Sequence, residues 1–390
     1  MSLLIKNIGE LFDGYKIIKN TSIYIENGKI KSIGREEKAD EIIDASNKFV
    51  MPGFVDCHTH AIFSGYRAFE IEWKIEGLSY KEIAERGGGI AYTVEQTRKA
   101  SKEKLKKETM ERVKEMIKHG TTTAEIKSGY GLDTENEIKM LEVINEIKNN
   151  ASIDIVPTFL AHAVPKDMKA DDFVDVIVEE MLPEIGERKL AKFCDVFCEV
   201  GYFNVEQSRK ILMEAKKYGM LPKIHADEFS CMGCSKLAAE LEAASADHLL
   251  MTSEKEMELL ADAGVVATLL PATPFILNEE YPDANKMLRY GIDVALATDL
   301  NPNCYVTNMQ FIVQLACYKM GMKPIEALKA ATINAAKALK MEKKVGSIEV
   351  GKNADILIMN VPSHLFIPYK IGVNLVEKVI KNGKVIYSQQ

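Results

Sequence analysis

PGFVDCHTH, residues 52–60, joins two kinds of sequence. Upstream, SIYIENGKIKSIG (22–34) alternates apolar and polar residues on both sides of Asn27-Gly28, a pair suited to a type I′ hairpin. Far downstream, EKVIKNGKVIY (377–387) repeats the device around Asn382-Gly383, and GSIEVGKNADILIM (346–359) supplies further strands. Neither end carries enough strands to bury a sheet face by itself. Residues 1–53 and 345–390 are therefore expected to fold together as a small β-sandwich domain, with 54–344 inserted between them.

The inserted part reads differently. Eight short apolar runs follow one another: FVDCHTH (54–60), TTTAEIK (121–127), IDIVPTFLAHA (153–163), FCDVFCE (193–199), PKIHA (222–226), SADHLL (245–250), VVATLLP (265–271) and IDVALATD (292–299). Helix-period segments lie between them, such as Lys102 to His119, with Leu105, Val113, Met116 and Ile117 on one face and a Lys-rich, solvated face opposite. Strand and helix alternating eight times predict an α/β fold, a TIM-like (β/α)8 barrel. The 390 residues accommodate such a barrel, of about 250 residues, and its companion.

Composition narrows the function. With 47% hydrophobic and 27% charged residues the chain is an ordinary globular one, and 50 basic against 57 acidic residues leave a net charge of −7. No basic stripe with interleaved aromatics occurs, which excludes nucleic acid as a partner and disfavours anionic membranes. The N-terminus lacks a basic start followed by an apolar block, and the apolar stretch Val265 to Leu277 is broken by Thr268, Pro271, Thr273 and Pro274. A cytoplasmic enzyme is expected, its seven scattered cysteines reduced and without disulfides.

Functional groups of such barrels sit at the carboxyl ends of the strands. His58, His60, Lys127, His162, Glu199, His225, His248 and Asp299 all lie at or just past the end of an apolar run. His58 and His60 are two residues apart, so strand periodicity points both rings to one side, with α-carbons about 6.7 Å apart. Cys57 faces the other way and is not expected to be a ligand. His58, His60, His225 and Asp299 form a donor set suited to zinc or iron, with room for water. A cation there lowers the pKa of its water toward about 7, which is hydrolytic chemistry. Glu228, three residues beyond His225 in HADE, reaches that water or a ring nitrogen as a proton shuttle, or else pairs with a cation or caps a helix. His248 polarises a substrate carbonyl, or serves as a fifth ligand or a structural hydrogen-bonding group.

These residues resemble the metal-dependent amidohydrolase superfamily, in PGFVDCHTH, the histidines of strands five and six, and ATD on strand eight. Within it, EIKSGYG (125–131), FLAHAVP (159–165), HADE (225–228) and ATDLNP (297–302) are similar to the imidazolonepropionase family, over nearly the whole chain. The resemblance implies hydrolysis of the cyclic amide of 4-imidazolone-5-propanoate to N-formimidoyl-L-glutamate in histidine degradation. It also implies one Zn2+ or Fe3+ per subunit and a homodimer. Glu228, His248 and Asp299 are then catalytic: Glu228 or Asp299 activates water, and His248 steadies the oxyanion. Arg67 pairs with the substrate's carboxylate tail, while Tyr130, His162, Glu228, Asn301, Asn303 and Cys304 line its pocket. Where the family has Gly followed by Ser or Thr, this chain has Asn303 and Cys304. Asn303 tolerates a left-handed backbone, but a hydroxyl contact is lost, which predicts altered affinity rather than altered chemistry.

Three rivals share the scaffold. A cytosine- or guanine-type deaminase also places Glu three residues after the strand-five His, but a neutral base gives Arg67 nothing to pair with. A binuclear cyclic amidase wants a bridging Lys at the end of strand four, and FCDVFCE has none. A catalytically dead binding protein would be expected to have lost ligands that are all present. Other features read as structural: Cys231 and Cys234 as loop packing, Cys194 and Cys198 as buried free thiols, and GGGI (87–90) as a close-passing loop; His119 and His364 read as exposed.

Overall fold

In the computed structural model, which describes residues 2–78 and 80–389, the alternating runs become two eight-stranded sheets. Met1 and Gln390, counted in the expected β domain, and Ser79 lie outside the described residues. The N-terminal segment supplies β1 (Ser2–Phe12), β2 (Ile17–Glu26), β3 (Lys29–Ile33), β4 (Glu41–Asp44) and β5 (Phe49–Pro52). The middle supplies β6 (Phe54–Asp56), β7 (Thr121–Lys127), β8 (Asp154–Ala161), β9 (Phe193–Cys198), β10 (Leu221–Ala226), β11 (Ser245–His248), β12 (Val266–Leu269) and β13 (Val294–Leu296). The C-terminal segment adds β14 (Ile356–Met359), β15 (Val376–Lys381) and β16 (Lys384–Ser388).

The chain ends do share one sheet, ordered β16-β15-β14-β5-β1-β2-β3, with β4 also paired to β1. The seam is antiparallel, running from Ile356 opposite Pro52 to Met359 opposite Phe49. Both turn pairs have positive φ at each residue, 51° and 75° at Asn27-Gly28 and 47° and 73° at Asn382-Gly383, as type I′ requires. Period-2 alternation explains why β5 and β14 are apolar throughout. Val50, Ile356 and Ile358 join Ile5, Ile8, Ile23 and Ile25 in a core private to this sheet, whereas Phe49, Met51, Leu357 and Met359 face the larger core shared with the barrel. Between β5 and β6 only Gly53 fits, because a Cβ there would lie 2.1 Å from the Thr122 hydroxyl oxygen.

In the second sheet every neighbouring pair from β6 to β13 is parallel. The ring closes just beyond the ends of β6 and β13. There Asp299 donates its N–H to the His58 carbonyl (3.1 Å), His60 donates to the Leu300 carbonyl (2.8 Å), and Asp56 accepts from the Thr298 N–H and hydroxyl (3.1 and 2.7 Å). The expected first and eighth strands are thus shorter than predicted, 54–56 and 294–296, since the residues after them turn to close the barrel and carry the site.

Helix Lys102–Lys118 starts where Ser101 accepts from the Lys104 N–H and buries Leu105, Val113 and Met116 as expected. Arg112 departs from the solvated face. It is fully buried, donates to the Ala61 and Phe63 carbonyls (2.9 Å each) and lies over the Phe63 ring, so it supports the loop after His60. Both histidines expected on the surface are half-buried: His119 touches the Thr307 hydroxyl, and His364 pairs with Glu10 at 2.6 Å. The expectation of no disulfide is also corrected. Cys198 at the end of β9 is bonded to Cys234 in the first turn of helix Cys234–Glu240, because adjacent βα units stack those two points 6.0 Å apart at Cα. Cys194 is a buried thiol and Cys231 an exposed one, 2.8 Å from Glu256. No helix among the described residues is long and apolar enough to cross a membrane.

Candidate metal centre and active site

Four donor atoms from three segments, the end of β6, β10 and the end of β13, meet at the carboxyl end of the barrel. His58 Nε2 lies 3.2 Å from His60 Nε2 and 3.6 Å from Asp299 Oδ1; His60 Nε2 lies 3.4 Å from both Asp299 Oδ1 and His225 Nε2. A tetrahedral zinc site with bonds of about 2.0–2.1 Å has edges of about 3.3–3.4 Å. The spacing therefore fits one cation held by these residues. Burial keeps the imidazoles of His58 and His60 neutral, with pKa values below the ordinary range, in spite of Asp299 beside His60. Burial works against the Asp299 carboxylate, but hydrogen bonds from the His60 ring and the Thr273 hydroxyl hold it ionised, well below its usual pKa. The Thr273 hydroxyl, 2.5 Å from Asp299 Oδ2, turns Oδ1 toward the histidines. Cys57 points away, toward Thr268, as expected.

His248 stands beside this set, its ring 5.2 Å from that of His225, and burial pushes its pKa down to about 3. Its Nδ1 is buried, has no hydrogen-bond partner among the described residues and lies 3.6 Å from Glu228 Oε1. Burial, followed by the charge of Asp299, raises the Glu228 pKa well above the carboxylate range. Asp227, His248 and Asp299 all have positive φ, 53°, 79° and 52°. Such backbone strain in non-glycine residues gathers at functional sites.

These groups open into a cavity of about 120 Å³, walled by His60, Arg67, Tyr130, His162, Glu228 and Asn301 among others. Arg67 is buried, and its Nε and Nη2 grip Glu70 at 2.7 and 2.9 Å. Glu70 also accepts the Gly89 N–H at 2.8 Å, which explains the glycine run: a Cβ on Gly88 would lie 2.6 Å from the Glu70 carboxylate. Tyr130 and His162 are packed ring against ring, 5.2 Å apart. The Tyr130 loop is tied down by Glu137, whose carboxylate accepts three backbone N–H groups, those of Gly129, Gly131 and Leu132.

The loop after β13 departs from expectation. The side chain of Asn301 serves its own turn, accepting from the Asn303 and Cys304 N–H groups (2.7 and 2.9 Å) and donating to the Asp299 carbonyl (2.8 Å). Asn303 reaches the cavity wall and receives a 2.5 Å hydrogen bond from Lys74. Cys304 corrects the prediction: its thiol is buried beneath the turn, near the Thr298 carbonyl, and does not line the cavity. The turn needs its N–H but not its side chain at the mouth.

Two groups that read as rim residues do other work. Glu199 accepts the N–H groups of Val200, Phe229 and Ser230 and the Ser230 hydroxyl, so it ties down the segment that carries Glu228. Lys127 folds inward to a buried cluster with Glu125, Asp195, Lys223 and Asp247. The signal that exposes this cluster is period 2: Glu125 and Lys127 share one face of β7, and Lys223 shares with His225 the inward face of β10.

Comparison with known proteins identifies the family. The amidohydrolase family model matches residues 49–386. The imidazolonepropionase of Clostridium tetani is 46% identical, over 98% of this chain and 94% of its own length, and that of Halobacterium salinarum is 48% identical, over 90% and 85%. The chain belongs to the imidazolonepropionase family of amidohydrolases. As an imidazolonepropionase-family protein it is a hydrolase of carbon–nitrogen bonds in a small molecule, built on a metal-dependent scaffold. A zinc-bound adenosine deaminase from Xanthomonas campestris shares the fold, with a TM-score of 0.76 at 18% identity, covering 99% of this chain and 93% of that one.

Proposed function

We propose that the four-donor centre and the Arg67 side of the cavity together hydrolyse 4-imidazolone-5-propanoate to N-formimidoyl-L-glutamate. The observation that carries this reading is that buried Arg67 lines the same small cavity as His60, His225 and Asp299, whose donor atoms converge with His58 Nε2. His58, His60, His225 and Asp299 would hold one Zn2+ or Fe3+. Such an ion, when bound, supplies a water of lowered pKa and polarises the carbonyl.

The remaining work falls to side chains. Arg67 receives the propanoate, with Glu70 fixing the plane of its guanidinium. Tyr130 and His162 pack against the ring. Either Glu228 takes the proton from the attacking water and returns it to the ring nitrogen as the carbon–nitrogen bond breaks, or Asp299 takes that proton and Glu228, kept protonated by burial, gives its own to the nitrogen. His248, neutral at physiological pH, presents a ring N–H to the carbonyl oxygen as charge develops there. Asn301 shapes the rim through its turn, and Asn303, held by Lys74, stands where the family has glycine. A homodimer, to be measured by sedimentation, and residence in the cytoplasm accompany this reading.

The test is direct: hydrolysis of freshly prepared 4-imidazolone-5-propanoate by protein of measured metal content. Metal-loaded protein that leaves this acid intact while deaminating cytosine or guanine would replace the reading with its nearest rival.

A further inference from the structure

Beneath the metal centre lie five ionisable side chains with no solvent exposure: Glu125, Lys127, Asp195, Lys223 and Asp247. Barrel interiors are ordinarily filled by branched aliphatic side chains. Buried ion pairs are weak stabilisers, and apolar replacements of similar volume are often as good or better. Stability alone therefore gives no reason for such a layer. Its connections give one. Asp247 Oδ2 lies 2.6 Å from His58 Nδ1, and Asp195 Oδ2 lies 3.0 Å from His225 Nδ1. Those same two oxygens face the ammonium groups: Lys127 Nζ is 2.7 Å from Asp195 Oδ2 and 3.7 Å from Asp247 Oδ2, and Lys223 Nζ is 3.7 Å from Asp247 Oδ2. Glu125 Oε2 bridges the two lysines at 2.8 Å each, and Lys223 also donates to the Cys57 carbonyl, next to His58. The Ser245 hydroxyl holds the other oxygen of Asp247 at 2.5 Å.

We infer that this layer is a positioning device for the cation ligands, with Asp247 and Asp195 setting His58 and His225 and the two lysines anchoring the carboxylates. A carboxylate facing Nδ1 keeps the proton on that nitrogen and leaves the Nε2 lone pair for the ion. Two ammonium groups against three carboxylates also leave one formal negative charge under the centre, which favours a cation above it. The inference rests on the proposed metal centre but not on the identity of the substrate.

The test reads metal binding rather than turnover. Co2+ is titrated into metal-stripped protein against a competing chelator, and its visible absorption bands are recorded for wild type, Asp247→Asn and Ser245→Ala. Ser245→Ala is included because it removes one support of Asp247 without unpairing a buried charge, so it reports even where Asp247→Asn does not fold. Asp247→Asn is expected to weaken Co2+ binding by about 10- to 100-fold, the usual effect of losing an outer-shell partner, and to shift the bands. Ser245→Ala is expected to give a smaller loss in the same direction. Wild-type affinity and unaltered bands in every variant that folds would overturn the inference. Wild type that binds Co2+ but leaves the imidazolone acid intact would instead refute the substrate assignment and leave the positioning role standing.

Discussion

Arg67→Met separates recognition of the substrate's tail from chemistry at its ring. The native side chain is buried, lines the cavity and already spends two nitrogens on Glu70. A hydrogen bond to a charged group contributes about 1.5–3 kcal/mol, which at about 1.4 kcal/mol per decade is a loss of about 10- to 150-fold in kcat/KM. The loss should fall mainly on KM, because the tail is bound alike in ground and transition states. Met also takes the bidentate partner from the Glu70 carboxylate, which keeps Lys74 at 3.6 Å and the Gly89 N–H, so the stability cost should fall below the about 3–5 kcal/mol of a fully unpaired buried charge. The double variant Arg67→Met, Glu70→Gln removes both charges and should regain stability but not activity. Steady-state hydrolysis of the acid is compared with that of the same ring carrying a neutral propanamide. The variants should lose rate on the acid and change by less than about threefold on the amide. Equal losses on both substrates, or an acid kcat/KM within about threefold of wild type, would refute the assignment of Arg67 to the tail.

Glu228→Gln should retain its metal and lose about 10²- to 10⁴-fold in kcat, the usual range for an acid–base group; near-full turnover with metal present removes Glu228 from the mechanism. Stripping the ion with a chelator should abolish turnover and lower the melting temperature, since a ligand at about 100 times its Kd contributes about 2.7 kcal/mol, and adding Zn2+ or Fe3+ back should restore both; activity that survives complete stripping refutes metal dependence. Burial pushes the Glu10 pKa up, but hydrogen bonds from the His364 N–H and ring more than offset this, so it lies below its ordinary value. The stability contributed by that pair is therefore complete above about pH 4.5 and is lost as pH falls through the lower folded value. Denaturant midpoints across that window should fall less steeply for Glu10→Gln than for wild type, and parallel curves would contradict the pairing.

Much of this architecture was legible because two periodicities report it directly. Alternation around Asn27-Gly28 and Asn382-Gly383 marks hairpins, and the same alternation brings the rings of His58 and His60 to one side, although the ladder stops at Asp56. Period 2 tells which face a side chain takes but not whether that face meets the cavity or lies below it. Lys127 ends β7 and reads as a rim group, yet its four-carbon stem bends inward to Asp195, 68 residues away in sequence. Partners so distant leave no local trace, and the same holds for the disulfide: Cys234 reads with nearby Cys231 as loop packing and Cys198 as a free thiol, yet Cys198 bonds Cys234 across two βα units. Asn301 was visible as a polar residue after strand eight. That its amide is consumed by its own turn depends on the backbone path, which a residue type does not encode.

The barrel's final seam is stitched by the ligands' own main chain, Asp299 to His58 and His60 to Leu300. A ribosome-bound chain that has not yet emerged past Leu300 lacks the complete set of proposed donors, however well its first seven barrel strands have condensed. Capture of an ion by all four proposed donors would therefore have to follow closure of the ring.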